Sequence, residues 1–370
     1  MMENIHGLRD RFLVLILAGF TALSFTACRP DEEKSSLKFN ITLSEEAFRG
    51  IEDLGLEVPV KGRVFAIVSK DKEREPRLST GVTGVPLWGM DVAYWEAGEQ
   101  VTIEDEKESV RGYPLDNIRE LPPGDYVVQA FLNVYTTFHR SDGHTVEMHL
   151  NSGAHQHLFR SPGNAFSDVI PLTVEAGKGG AVDLILNQVI QPPSPLKEGE
   201  VLQQGNYTDT EWVKYVKIKS EKVSEFWGRD MYIGANVLLP QGYHDHPDIH
   251  YPVLYMQGHS SGLTPMPWAP EEWFHEGYVP SHPAVGNQLD GFYEAWTSGS
   301  LPKMIVVTFR DSNPYFDTSY SVNSPNVGPY GDALIEELIP YIEKNFRIIS
   351  EPWARVLAGR STGDGRRRLS

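Results

Sequence analysis

The sequence predicts two folded domains, an antiparallel β-sandwich-like domain followed by an α/β domain with a parallel sheet. Three observations lead to this prediction. Between residues 37 and 190, short apolar runs with a period of two are separated by Gly- and Pro-rich turns. Residues 191–200 are proline-rich and have the composition of a stiff linker. From residue 201 to 370, unbroken apolar strands alternate with helical patterns, as in parallel sheets that are covered on both faces.

The chain begins with the pattern of a secretory signal peptide at residues 1–27. Arginines precede an apolar run that starts at Phe12 and is too short for a membrane-spanning helix, which needs about 20 residues. The end of this segment, Phe25-Thr-Ala-Cys28, resembles a bacterial lipobox, which would make Cys28 the lipidated first residue of the mature protein. The alternative is an ordinary signal peptide with an incidental cysteine. Residues 28–36 are predicted to form a polar tether.

The composition limits the partners and the chemistry of the chain. It carries 50 acidic against 33 basic residues, a net charge of −17, so nucleic acid is an unsuitable partner. Cys28 is the only cysteine, so no disulfide framework or thiolate chemistry is expected. The predicted location is outside the cytoplasm, lipid-anchored to a bacterial membrane and facing the periplasm or the exterior. The membrane is then a partner through the lipid.

The β-rich first domain shows its strands by alternation. They are predicted at residues 38–43, 62–68, 125–135 and 182–186. No catalytic constellation occurs among them, so this domain is interpreted as a scaffold or a binding module.

Histidines are concentrated in a short part of this domain: His139, His144, His149, His155 and His157. Imidazoles at such spacing can bind zinc or copper. No cysteine joins them and turn sequences separate them, so solvated or hydrogen-bonded histidines are predicted instead of a metal site. No cofactor is predicted for the chain.

The second domain changes to an α/β pattern. Strands are predicted at residues 213–218, 231–239, 251–256, 304–309 and 355–358, and an amphipathic helix at residues 330–346. The last strand leads directly into Gly359-Arg-Ser-Thr-Gly363. A G-x-S-x-G turn after a strand is the nucleophile elbow of α/β-hydrolases, in which the serine hydroxyl is lifted off the sheet. The five residues alone also fit a simple Gly/Ser turn, so their context decides between the two.

That context resembles the esterase branch of the α/β-hydrolases, which includes S-formylglutathione hydrolase and feruloyl-esterase-like enzymes. Five features carry the resemblance in order: Val237–Tyr243, Tyr251–His259, Ile305–Phe309, Gly328–Pro340 and Gly359–Gly363. The resemblance implies a small-molecule ester substrate, Ser361 as the nucleophile, and an oxyanion hole made by the amides of Thr362 and of the Gly258–His259 loop. Arg360, and the arginine-rich run that follows Asp364, depart from the family pattern.

The resemblance also shows what is missing. A serine nucleophile needs a histidine base and an acid that orients it, and in this fold both follow the serine in the chain. Asp364 is the only acid after Ser361, and no histidine follows it. The upstream histidines, His259, His275 and His282, lie on the predicted oxyanion side.

Two hypotheses from different classes follow. The first is an exported serine esterase with an incomplete α/β-hydrolase domain in this chain, which is inactive as written. The second is a lipid-anchored binding protein that uses the β domain and carries a decayed hydrolase domain.

Overall fold

The computed structural model describes residues 37–152, 157–257 and 291–359. In its N-terminal part, ten strands form one sheet in the order β4-β1-β10-β8-β6-β2-β3-β5, with β7 and β9 also paired to β6. Their bounds are β1 (Leu37–Leu43), β2 (Val60–Ser69), β3 (Leu87–Trp95), β4 (Gln100–Ile103), β5 (Arg111–Tyr113), β6 (Gly124–His139), β7 (Thr145–His149), β8 (Ala165–Ser167), β9 (Ile170–Val174) and β10 (Gly180–Val189).

This sheet is strongly curled. Phe39 of β1 and Trp88 of β3 stack with ring centroids 6.3 Å apart, although four other strands lie between them in hydrogen-bonding order. At about 4.8 Å per strand, a flat sheet would separate them by about 24 Å. Helix α1 (Glu45–Asp53), which Ser44 caps through the Ala47 amide, adds Ala47 and Ile51 to the core that the sheet encloses.

The predicted sandwich is not confirmed, although every predicted strand of this part is present. The strands form one continuous hydrogen-bonded sheet, and β1 and β10 run parallel in it. Alternation indicates that each strand has one buried face. It does not distinguish two packed sheets from one sheet that curls over its own core.

A second sheet has five strands in the order β11-β12-β14-β13-β17. Its strands β13, β14 and β17 are parallel, whereas β11, β12 and β14 pair antiparallel, so the sheet is mixed rather than wholly parallel. The two-residue strands β15 (Asn323–Ser324) and β16 (Gly328–Pro329) form a separate pair. The bounds are β11 (Val213–Ser220), β12 (Met231–Leu238), β13 (Val253–Gln257), β14 (Ile305–Arg310) and β17 (Arg355–Gly359).

Helices cover both faces of the second sheet, as predicted. On one face lie α2 (Glu221–Trp227) and a helical run made of α4 (Tyr330–Ala333), a π-helical turn (Leu334–Leu338) and α5 (Ile339–Asn345). On the other face, helix α3 at residues 291–297 buries Trp296 against Leu238 and Val306. The predicted strands and the predicted helix of this part are therefore confirmed.

Candidate active site

The three parallel strands of the second sheet end at one edge. Strand β13 ends at Gln257, β14 at Arg310 and β17 at Gly359. Ligands of open α/β sheets bind at this carboxyl edge. The register pairs Gln257 with Gly359, so the ends of β13 and β17 lie side by side.

The residues that the sequence predicts for the site follow these two strand ends. Gly258 and His259 come directly after Gln257, and Ser361 and Thr362 come two and three residues after Gly359; all four lie outside the described residues. Neighbouring strands are about 4.8 Å apart. The structure thus brings together the two points from which the predicted oxyanion loop and the predicted elbow start.

A buried carboxylate that is not among the predicted site residues follows β14. Asp311 is 1% exposed and accepts hydrogen bonds from the Thr318 hydroxyl (3.0 Å), from the Ser319 hydroxyl (2.5 Å) and amide (3.3 Å), and from the Ser321 amide (3.2 Å). Tyr320 and Ser321 have φ values of 58° and 55°, which residues other than glycine rarely adopt. Asp311 therefore holds a strained loop in shape at the carboxyl edge.

With four donors on its oxygens, Asp311 is unsuited to orienting a catalytic base. Its charge acts on Tyr330, whose hydroxyl donates to the Ser312 carbonyl at 3.3 Å. Burial, and then the nearby Asp311 carboxylate, raise the pKa of Tyr330. The signal available in the sequence was the polar run that begins at Asp311, directly after an apolar strand.

Two cations hold the segment that follows the predicted linker. Arg310 is 3% exposed; its guanidinium donates to the carbonyls of Gln204 (2.5 Å) and Val216 (2.7 Å). It also lies over two tyrosine rings, 5.3 and 5.8 Å from their centroids: Tyr207 and Tyr215. Burial lowers the pKa of Arg310, because no carboxylate is among these partners.

The second cation is Lys217 of β11. Its Nζ donates to the carbonyls of Val201 (2.6 Å) and Gly205 (3.0 Å). Burial, and then the positive charge of Arg310, lower the pKa of Lys217 to about 8, against an opposing effect of Glu200. Arg310 of β14 and Lys217 of β11 therefore hold residues 201–205 against the second sheet. These five residues do not belong to an unattached linker.

The described histidines of the first domain do not form a metal-binding group. Three of them have hydrogen-bonding or ionic neighbours at 2.8–3.1 Å: Thr145 for His139, Asp142 for His144 and Ser161 for His149. Burial lowers the pKa of His149 to about 4, so its imidazole is neutral at pH 7. His157 is exposed, and His155 lies outside the described residues. Within the described ranges, no group of three or more His, Cys, Asp or Glu side chains could hold a metal ion.

The predicted signal peptide and Cys28 also lie outside the described residues. Among the helices in residues 37–152, 157–257 and 291–359, none is long and apolar enough to cross a membrane.

Comparison with known proteins bears on the second sheet. Residues 224–364 match the family described as "Putative esterase". The matched span contains all five sequence features that carry the resemblance to esterases, and it includes strands β12, β13, β14 and β17. A search of curated proteins gives no significant match.

Three solved structures are similar to the chain. A ferulic acid esterase is 24% identical over 42% of this chain and 52% of its own, with a TM-score of 0.30. A ferulic acid esterase from the anaerobic fungus Anaeromyces mucronatus is 23% identical over 43% of this chain and 53% of its own, with a TM-score of 0.25. A thermostable esterase is 11% identical over 89% and 71%, with a TM-score of 0.24.

The chain spans about half the length of the two ferulic acid esterases. The segment from residue 224 to residue 364 is therefore similar to the "Putative esterase" family, and resembles an esterase of the α/β-hydrolase type.

Proposed function

We propose that this chain is an exported serine hydrolase of the carboxylic-ester type with Ser361 as its nucleophile, and that the 370 residues alone are inactive because they lack the triad acid and histidine. One observation carries the proposal: Gln257 and Gly359 are register partners on adjacent parallel strands. The predicted oxyanion loop and the predicted elbow therefore start next to each other at the carboxyl edge. The family match over residues 224–364 supports the same assignment.

The chemistry assigned to these residues is acyl transfer. The Ser361 oxygen attacks the ester carbonyl carbon and loses its proton to a base, while the carbonyl electrons move onto the oxygen. The amides of Thr362 and of the Gly258–His259 loop stabilise that oxyanion. The alcohol then leaves with a proton, and water hydrolyses the acyl-serine. The base and the acid that orients it are not assigned, because no histidine follows Ser361 in the 370 residues.

The 370-residue chain is expected to hydrolyse esters no faster than its Ser361→Ala variant. Without a base, the serine hydroxyl is not activated for attack. A well-formed oxyanion hole alone accelerates the reaction only about 10³–10⁴-fold over the reaction in water. The assay compares residues 29–370 with the variant on p-nitrophenyl esters and methyl ferulate. Turnover well above that of the variant would contradict this expectation and would require a base elsewhere in the chain.

The esterase assignment itself is tested with the coding DNA beyond Ser370. We expect an open frame that supplies an Asp or Glu and then a His, and an extended protein whose ester hydrolysis is lost in Ser361→Ala. A closed frame, together with specific ligand binding by the first domain, would support the lipid-anchored binding protein instead.

A lipid anchor at Cys28 is part of the proposal. Cys28→Ser should move the protein from the membrane fraction to the soluble fraction, because the thiol is the attachment point for the acyl chains. Fractionation and the mass of the mature N-terminus measure this. Unchanged membrane association, without a lipid-sized mass on the wild-type N-terminus, would exclude the anchor.

The domain division is proposed as a β domain at residues 37–190, a linker at 191–200 and the esterase-like domain at 201–370. The signal peptide at residues 1–27 and the tether at 28–36 precede them.

A further inference from the structure

The first sheet reaches into the core of the second. Phe138, the penultimate residue of strand β6, is fully buried in the same apolar cluster as residues of strands β12, β13 and β14. Its ring meets Trp227 of α2 edge-on, with centroids 5.2 Å apart. The Ser141 amide in the β6–β7 turn donates to the Phe226 carbonyl at 2.8 Å. The β6–β7 hairpin therefore packs against the second sheet and its helix α2.

Arg140, at the tip of this hairpin, is buried against residues of the second part of the chain. Its side chain is 7% exposed and its guanidinium lies over the rings of Phe226 and Trp227, 5.0 and 5.8 Å from the centroids. Asp142 of the same hairpin neutralises the charge at 2.5 Å. This ion pair lies within the hairpin. The guanidinium N–H groups that it does not use can therefore donate hydrogen bonds to residues of the second part of the chain.

Those donors reach two separate points of the segment that follows β14 at the carboxyl edge. This segment, residues 311–325, contains the two-residue strand β15 and is called the edge loop. Arg140 Nη1 donates to the Tyr315 hydroxyl at 3.3 Å, and Nη2 donates to the Pro325 carbonyl at 3.1 Å. This is the loop that Asp311 holds in shape from the inside. Arg140 therefore restrains from the outside a loop that borders the carboxyl edge of the sheet.

We infer that Arg140 is a positioning residue through which the N-terminal sheet sets the place of the edge loop beside the ester site. The first domain then has a structural role in the hydrolase and is not an independent binding module. The inference rests on the proposed function only in calling the site beside the edge loop an ester site. The contact between hairpin and loop is tested without substrate.

The test is hydrogen exchange of the whole chain, residues 29–370, in Arg140→Met. This variant keeps an apolar stem against the rings but removes both donors. The reporters are the Tyr315 and Phe316 amides, which bond to Asn313 Oδ1, and the Asn326 amide, which bonds to Ser324 Oγ. We expect all three to exchange about tenfold faster, from the loss of charged hydrogen bonds. Exchange in β13 and β14 should stay unchanged.

Two further variants make the result specific. Tyr315→Phe keeps the ring and removes one acceptor, so faster exchange is expected at Tyr315's neighbour Phe316 but not at Asn326. Arg63→Met is the matched control, because Arg63 pairs with Asp91 on the exposed face of the same sheet. Three outcomes overturn the inference: unchanged exchange of the edge loop in Arg140→Met, an equal acceleration in Arg63→Met, or a uniform acceleration of all strands. An inactive enzyme would not affect any of these readouts.

Discussion

Replacing Phe138 by alanine is expected to lower the free energy of unfolding by about 3–5 kcal/mol, the usual cost of removing a buried aromatic ring. The ring is fully buried, meets Trp227 edge-on and is covered by the Arg229 guanidinium 5.3 Å from its centroid. Phe138 is a residue of strand β6 in the first sheet, but its side chain is buried in the apolar core of the second sheet. The cavity would therefore open at the junction, where neither sheet can collapse onto it alone.

Urea unfolding followed by tryptophan fluorescence measures this loss, because Trp227 lies at the cavity. The matched control is Phe316→Ala, which removes the same ring from a position that is 46% exposed. A loss for Phe138→Ala no larger than that for Phe316→Ala would mean that the junction contributes little to stability.

Gly228→Ala is expected to lower the free energy of unfolding by about 2–5 kcal/mol, from two separate causes. Gly228 ends α2 with φ of 68°, a left-handed conformation that costs an L-residue about 1–2 kcal/mol. An added Cβ would also lie 2.0 Å from the His139 carbonyl oxygen, which is backbone and cannot rotate away. Relieving that overlap would push the hairpin off α2, at about 1–3 kcal/mol for an overpacked site.

The same substitution at Gly55 separates the two causes. Gly55 follows α1 with φ of 76°, but no heavy atom lies within 4 Å of the position that an added Cβ would occupy. Gly55→Ala should therefore show only the conformational cost. Thermal or urea unfolding of both variants gives the difference between them. Equal losses would show that the hairpin and α2 do not press against each other in solution.

Most elements could be predicted from the sequence, because their signals are local. The strand predicted at residues 125–135 is the middle of β6, which the structure extends to His139. The extension carries Phe138, and its burial depends on Trp227, which is far away in the chain. Local alternation contains no information about such a partner. The curl of the first sheet was unpredictable for the same reason, since it depends on the contact of Phe39 with Trp88.

The predicted elbow and the predicted oxyanion loop have short sequence patterns, but their residues lie outside the described ones, so both stay predictions. The register of Gln257 with Gly359 concerns only the strand ends that precede them. Arg140 has no sequence pattern of this kind, and the only signal for Asp311 is the polar run that it begins after an apolar strand. Each acts through hydrogen bonds to a loop whose shape is not encoded by spacing, and for Arg140 both acceptors lie outside its own sheet.

The hairpin between β6 and β7 also imposes an order on folding. Arg140 and Pro325 are 185 residues apart in the chain. At about 5–20 residues per second, synthesis alone separates their appearance by about 10–40 s. The ring of Phe138 lacks its edge-on partner until Trp227 has been synthesised, and contacts of such long sequence separation form slowly even in the finished chain. Until then the hairpin exposes an aromatic ring, and exposed apolar surface of this kind makes unfinished chains prone to aggregation.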